Sequence, residues 1–523
     1  MSAALSEHLA ALMQPSAYPH PVAEVMLVET HISWILLTGE VAYKIKRPVC
    51  FPFLDLRSLE RRAFFCKEEL RLNRRFAPQL YRDVCPIVLV DGAARLDGPG
   101  EPIEYAVKMC QFARDDELDN LLAQARIAPP ELAAFGRELA AIHGALPVAA
   151  PPQPWGDPQA VHDAIVRNLD ECVQAGAVFD RASAARSLRP QLEQRLQSLT
   201  PWMLARRENG RIRECHGDLH AANIVRLDSK LVAFDCLEFE PLFRWIDVAD
   251  ELAFLLADLD ARGYPRHEQA FLTGYLDRSG DYQACRLLPL YKAHHALVRA
   301  KVGALQRRGA SGRGAASSDD NGLRMFGAYV DCAARALSHK SPALILMSGL
   351  SGSGKTWLAE RLAPVLGAVH LRSDIERKRL AGVDPRARTG SAPGEGMYSK
   401  DFTARVYAYL AEAVDDILCG GYTAVVDATF SRREDRDGFR KLASRLGAPA
   451  CLIHCHASHE LLRSRIAERD RQGRDASEAD VNVLQWQKEH WEPVTPDEQW
   501  TVIPVDTADM DLARLAQRIG SLS

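Results

Sequence analysis

Three short apolar runs mark the second half of the chain, at residues 343–347, 368–371 and 423–426. Runs of four or five residues without polar alternation suit strands covered on both faces, as in a parallel sheet. The first is followed by a glycine-rich stretch and then by apolar positions at helical spacing (Trp357, Leu358, Leu362, Val365, Leu366), which predicts strand, loop and helix in succession. In the first half, residues 41–43, 103–110, 223–225 and 231–234 predict further strands, and 58–76 predicts a helix whose apolar stripe includes Phe65, Leu72 and Phe76. Glu69 falls inside that stripe. A carboxylate there is buried and needs a cationic partner. Lys44, at the end of the strand that follows the turn Thr38-Gly39-Glu40, is the first candidate and Lys46 the second. The alternative places Glu69 at a rim, reaching water.

Between the halves, residues 307–322 are rich in Gly, Ala, Ser and Arg and read as a mobile loop. Residues 323–337 regain helical spacing, so the boundary is expected near Ser341-Pro342, separating domains 1–340 and 342–523. The proline-rich stretch 147–158 reads as a loop inside the first domain. Composition is that of a globular chain: 523 residues, 47% hydrophobic and 26% charged. A net charge of −4 removes bulk electrostatics as an argument for nucleic-acid or membrane partners, so any basic site is local. Twelve cysteines lie at irregular spacings, and the N-terminus lacks the basic-then-apolar order of a signal peptide. A reducing, cytoplasmic setting is expected. The apolar runs near the motifs are far too short to span a bilayer.

Gly349-Leu350-Ser351-Gly352-Ser353-Gly354-Lys355-Thr356 has the spacing G-x-x-x-x-G-K-T between the predicted strand and helix. Glycines let the backbone wrap with its N–H groups inward, and the helix N-terminus adds positive charge, so the loop cradles phosphates. Lys355 would reach the outer phosphates and the Thr356 hydroxyl would hold Mg²⁺. Asp427, closing the run 423–426, is the metal-site candidate. Asp374, after the run 368–371, is a candidate to accept a proton from a substrate hydroxyl, with a helix N-cap as its alternative. Arg465 and Arg469, four apart on one helical face, could close over a triphosphate; a solvated charged helix is the bland alternative. Cys451, His454, Cys455, His456 and His459 look like a metal cluster. Strand alternation, however, sends the cysteines to one face and His454 and His456 to the other.

In the first half, His216-Gly217-Asp218 precedes Asn223 by five residues from Asp218, and the predicted strand 231–234 ends at Asp235. In phosphoryl transfer an Asp so placed orients the attacking hydroxyl, while the Asn and the later Asp hold Mg²⁺. Strand 103–110 would enter a hinge that bonds an adenine edge through backbone groups. No G-x-G-x-x-G precedes Lys44; the equivalent stretch is 29–34.

Asp218, Asn223 and Asp235 resemble the catalytic core of the aminoglycoside-phosphotransferase and protein-kinase-like superfamily. The loop residues, Asp374, Asp427 and Arg469 resemble the P-loop kinase group that includes gluconate kinases, chloramphenicol phosphotransferases, zeta-type toxins and polynucleotide kinase domains. End to end, through "VAYKIKRPV", "EELRLNRR", "HGDLHAANIV", "FDCLEFEPLFRWIDVADELAFLLADLD", "VRAKV" and the P-loop, the chain is similar to bifunctional aminoglycoside phosphotransferase/ATP-binding proteins. The resemblance implies a bilobed α+β kinase-like fold followed by an α/β P-loop domain with a parallel sheet. It also implies ATP and Mg²⁺ as cofactors, and a role for Arg244, Asp247, Arg299 and Lys301 around the acceptor, with an Arg244–Asp247 ion pair as the alternative. Fold does not fix substrate. The leading expectation is a kinase with two ATP·Mg²⁺ sites acting on small hydroxylated molecules. The alternatives are a polynucleotide 5′-end kinase, disfavoured by the net charge, and a regulatory protein in which one domain gates the other.

Overall fold

The computed structural model describes residues 3–51, 54–179, 181–310, 319–384, 387, 395–472 and 479–521. Packing divides the chain into two units: residues 1–131, 141–163 and 201–258 form one, and 132–140, 164–200 and 259–523 the other. No helix among the described residues is long and apolar enough to cross a membrane.

The first unit is built on a six-stranded antiparallel sheet. Its strands are β1 (Met26–Glu29), β2 (Ser33–Leu37), β3 (Val41–Lys46), β4 (Tyr81–Val90), β5 (Ala93–Leu96) and β6 (Pro102–Cys110), in the order β1-β2-β3-β6-β4-β5. Every residue of β3 is buried. Val41, Tyr43 and Ile45 enter one apolar cluster with Leu36 and Ile87, while Ala42 enters another with Cys66 and Val107. Strand alternation then puts Lys44 and Lys46 on the Ala42 face, inside the protein. Helix α1 (Leu59–Asn73) covers that face, capped by Ser58, whose side chain accepts from the Arg61 N–H. The hairpin β7 (Ile224–Leu227) and β8 (Lys230–Ala233) lies in the same unit. Helix α2 (Val248–Ala261) follows.

The second unit holds a five-stranded parallel sheet of β9 (Leu344–Ser348), β10 (Val369–Arg372), β11 (Ala424–Asp427), β12 (Ala450–His456) and β13 (Thr501–Asp506), ordered β10-β11-β9-β12-β13. The three apolar runs of the sequence are β9, β10 and β11, side by side. All five residues of β9 and all four of β11 are buried, as a doubly covered sheet requires. Helices α3 (Pro265–Ser279), α4 (Ala284–Ala310) and α5 (Asp319–Leu337) belong to this unit, although the boundary expected from sequence lies after them. Polar contacts tie them to helices of the same unit. The Tyr282 hydroxyl donates to Glu376 at 2.9 Å, and Arg379 donates to Glu376 and to the Asp277 and Arg278 carbonyls at the end of α3. Arg286 pairs with Asp415 and Asp416. The expected loop 307–322 is shorter than its composition implies: α4 runs to Ala310 and α5 starts at Asp319, and residues 311–318 lie outside the described residues.

Candidate functional site

In the first unit, the Lys44 ammonium lies 2.9 Å from Glu69 and also contacts Asp235. Glu69 is fully buried, which removes the rim alternative. Its other oxygen takes Lys46 at 2.6 Å, and Lys46 takes Glu238 at 2.6 Å. Both candidate lysines are therefore used. Burial alone would raise the Glu69 carboxyl, yet the two ammonium groups outweigh it and hold the group near 2. The same carboxylates hold both lysines well above their ordinary value despite burial.

The hairpin β7–β8 aligns Ile224 with Ala233, and the Phe234 N–H donates to the Asn223 carbonyl, so Asn223 and Asp235 flank the open end of the same ribbon. Asn223 donates through Nδ2 to Asp218 Oδ2 at 2.9 Å. Asp235 adopts φ +64, a left-handed conformation that costs a non-glycine residue energy. The Tyr81 hydroxyl accepts from the Asp235 N–H at 3.1 Å. The loop before Asp218 is held by α2. Glu251, fully buried, accepts from the N–H groups of His216 and Gly217 at 2.8 and 3.0 Å. One pair of turns further on, Asp258 accepts from the Ala221 N–H at 2.9 Å. His216 Nδ1 accepts from the Asp218 N–H, and Nε2 donates to the Phe234 carbonyl. Burial pushes His216 down to about 4, so it is neutral near pH 7. At Gly217, φ is +85 and a Cβ would stand 2.8 Å from the Phe243 carbonyl, so only glycine fits.

Where a glycine-rich loop would cover phosphates, β1 and β2 are joined by a tight turn in which Thr30 and Ser33 bond each other. Arg244 and Asp247 do not pair with each other. Arg244 reaches Glu214 at 3.2 Å, and Asp247 takes Arg206 through two bonds of 2.7 Å. Arg299 lies over the Tyr329 ring and Lys301 pairs with Glu171 at 2.7 Å.

In the second unit, β9 delivers the loop 349–354 to helix α6 (Lys355–Leu366). Gly349, Gly352 and Gly354 all have positive φ, and a Cβ on Gly349 would meet the Cys455 carbonyl at 2.3 Å. Thr356 Oγ1 donates to Asp427 at 2.6 Å. Burial raises Asp427, but His370, Arg372 and Lys355 together bring it down to about 2. His370, 3.7 Å from Asp427, was not picked out from sequence because it sits inside an apolar run. Lys355 donates to the Gly349 and Leu350 carbonyls at 2.8 and 3.0 Å, and burial lowers its pKa. Ser351, itself buried, gives its N–H to Gln487 Oε1 at 2.8 Å.

Asp374 lies in the first turn of α7 (Ser373–Leu380), whose N-cap is Arg372, so the N-cap alternative for Asp374 falls. Helices α8 (Lys400–Cys419) and α9 (Arg433–Leu446) lead to α10 (His459–Gln472), which carries Arg465 and Arg469. Arg465 bonds Thr507 Oγ1 at 2.7 Å and the Gly352 carbonyl at 3.4 Å, while Arg469 bonds the Ala479 carbonyl. Gln487 belongs to α11 (Val481–Glu489). Ser353 is buried, and its carbonyl accepts from Thr507.

Each half of the chain matches a family model. Residues 63–288 match the family model described as "Phosphotransferase enzyme family", and residues 344–494 match "AAA domain". The chain thus joins a kinase-like phosphotransferase domain to an AAA-type P-loop domain. An uncharacterized protein of Mycobacterium tuberculosis is 29% identical over 480 residues, 90% of this chain and 92% of that protein. Among solved structures, a choline/ethanolamine kinase family protein from Mesorhizobium loti is 11% identical, covering 64% of this chain and 97% of its own, with a TM-score of 0.37. A gluconokinase from Sinorhizobium meliloti is 24% identical, covering 35% of this chain and 99% of its own, with a TM-score of 0.25.

Proposed function

We propose that the chain is an ATP- and Mg²⁺-dependent phosphotransferase with two nucleotide sites, in functional domains 1–340 and 342–523, each moving a γ-phosphoryl group to the hydroxyl of a small acceptor. The observation that carries this reading is the Lys44 ammonium shared between Glu69 and Asp235, with Asn223 and Asp218 hydrogen-bonded alongside. Lys44 neutralises phosphate charge. Asp218 orients the acceptor hydroxyl and takes its proton. Asn223 spends its amide nitrogen on Asp218, which leaves its oxygen, with the half-exposed Asp235 carboxylate, as hard donors that suit Mg²⁺. Thr356 and Asp427 offer the matching oxygen pair in the second domain. Bound there, the cation draws charge from the phosphate oxygens. Both sites work by positioning and charge neutralisation.

The test is a screen of sugars, aminoglycosides, nucleosides and oligonucleotides for ATP-dependent gain of one phosphate by mass spectrometry, repeated with Asp218→Ala and Lys355→Ala. Each variant should abolish one set of products and spare the other. Products unchanged in both variants would sink the assignment. A gating role for the second domain is favoured by one contact, the Gln487 oxygen seated on the Ser351 N–H that a phosphate would use. Under that reading Gln487→Ala raises nucleotide affinity without any turnover dependent on Lys355.

A further inference from the structure

The histidines that fail as a metal cluster face something else. On β12, Cys451, Ile453 and Cys455 enter the apolar core, and His454 and His456 turn the other way, their rings 6.3 Å apart. They line a cavity of about 280 Å³ beside the start of the phosphate loop. The loop contributes Leu350 and Ser353, α10 contributes Leu462, and the end of α11 and the segment after it contribute Lys488 and Trp491. The Trp491 indole lies 5.7 Å from the His454 ring, tilted by 54°. Gln487 fastens α11 to the Ser351 N–H, which fixes this wall over the loop.

Two residues of the lining each carry a buried polar atom without a hydrogen-bond partner. Ser353 is 1% exposed and its hydroxyl bonds nothing; His454 Nδ1 is buried and equally unpaired. Burial, helped by the charges of His456 and Lys355, lowers the His454 pKa and keeps the imidazole neutral. Leu350, Leu462 and Ala457 belong to one apolar cluster and form the floor. A wholly apolar ligand would leave Ser353 and His454 unsatisfied. The volume lies just below the range of pockets for drug-sized ligands, so it suits a single ring system.

We propose that this cavity is a nucleobase subsite: a flat heteroaromatic ring lies against His454 and Trp491, and its polar edge meets Ser353 Oγ and His454 Nδ1. The inference rests on the phosphoryl-transfer reading of the loop. The ring belongs either to the nucleotide in the cradle or to a nucleoside-type acceptor, and the chemistry of recognition is the same.

The test is calorimetric titration of the full chain with ATP, inorganic tripolyphosphate and the four ribonucleosides. It compares wild type with Trp491→Ala and with the cavity-filling Ala457→Leu, and the binding lost in Lys355→Ala defines the second-site component. Tripolyphosphate binding should be unchanged in both cavity variants. A tenfold or greater loss of second-site ATP affinity assigns the ring to the donor. A comparable loss for a nucleoside, with ATP unchanged, assigns it to the acceptor. ATP and every nucleoside within twofold of wild type in both variants overturns the subsite. Tripolyphosphate binding that is absent, or indifferent to Lys355→Ala, instead defeats the cradle reading and the subsite with it.

Discussion

Glu69 was legible from sequence because a carboxylate interrupts an apolar stripe, and the structure answers it with two lysines. Lys46 and Glu238 complete a buried chain of charges, and breaking such a chain leaves a charge without a partner. Lys46→Ala should therefore lower stability by about 3–5 kcal/mol in urea unfolding; a change below about 1 kcal/mol would show the pair to be idle. His216 makes a pH prediction. Its folded pKa of about 4 lies below the unfolded value of about 6.5, so the unfolded chain binds the proton first. Stability from this group is complete above pH ~6.5 and declines as pH falls toward 4, by roughly 3 kcal/mol. His143, held near 3 by burial, adds in the same direction. His216→Gln should flatten the decline measured by denaturation between pH 7 and 4.5; an unchanged slope contradicts a buried neutral imidazole.

At the level of elements, continuous apolar runs announced the parallel strands, and the glycine loop between β9 and α6 announced itself by spacing. Helix α2 hid its role. Glu251 and Asp258, both fully buried, interrupt an apolar helix as Glu69 interrupts the apolar stripe of α1, the same sequence signal of a buried carboxylate. What sequence lacked was their partner, because backbone N–H groups leave no side-chain signature. Composition also overstated the loop at 307–322, since residues 305–308 are good helix formers and α4 runs through them. Close helix crossings were equally silent. A Cβ on Gly274 of α3 would lie 2.0 Å from the Ala133 carbonyl, and one on Gly136 would lie 2.3 Å from the Phe271 carbonyl. Gly274→Ala must push α3 away from the Ala133 backbone and should cost about 1–3 kcal/mol in chemical denaturation. Gly303→Ala, with nothing within 4 Å, should be neutral or stabilising.

Over the whole molecule, motif spacing separates two chemistries near Ser341-Pro342, whereas packing gathers α3, α4 and α5 with the parallel sheet. That grouping was not readable from sequence. It depends on Tyr282, Arg286 and the α3 carbonyls meeting Glu376, Asp415, Asp416 and Arg379 across long sequence separations. A fragment starting at residue 342 leaves the Tyr282 and Arg286 partners behind. It should unfold at a lower urea concentration than the same sheet in the full chain, followed by protease protection of α7 and α8; equal midpoints would show those contacts to be incidental. Charge is balanced locally as well as overall, since Lys44 and Lys46 are met by Glu69, Asp235 and Glu238. The central claim is that two independent nucleotide sites share one chain. Equilibrium dialysis of ATP·Mg²⁺ measures it most directly: the account predicts two nucleotides per wild-type chain and one in either Lys44→Ala or Lys355→Ala. A single nucleotide per wild-type chain, or a stoichiometry of two that survives both substitutions, would contradict it.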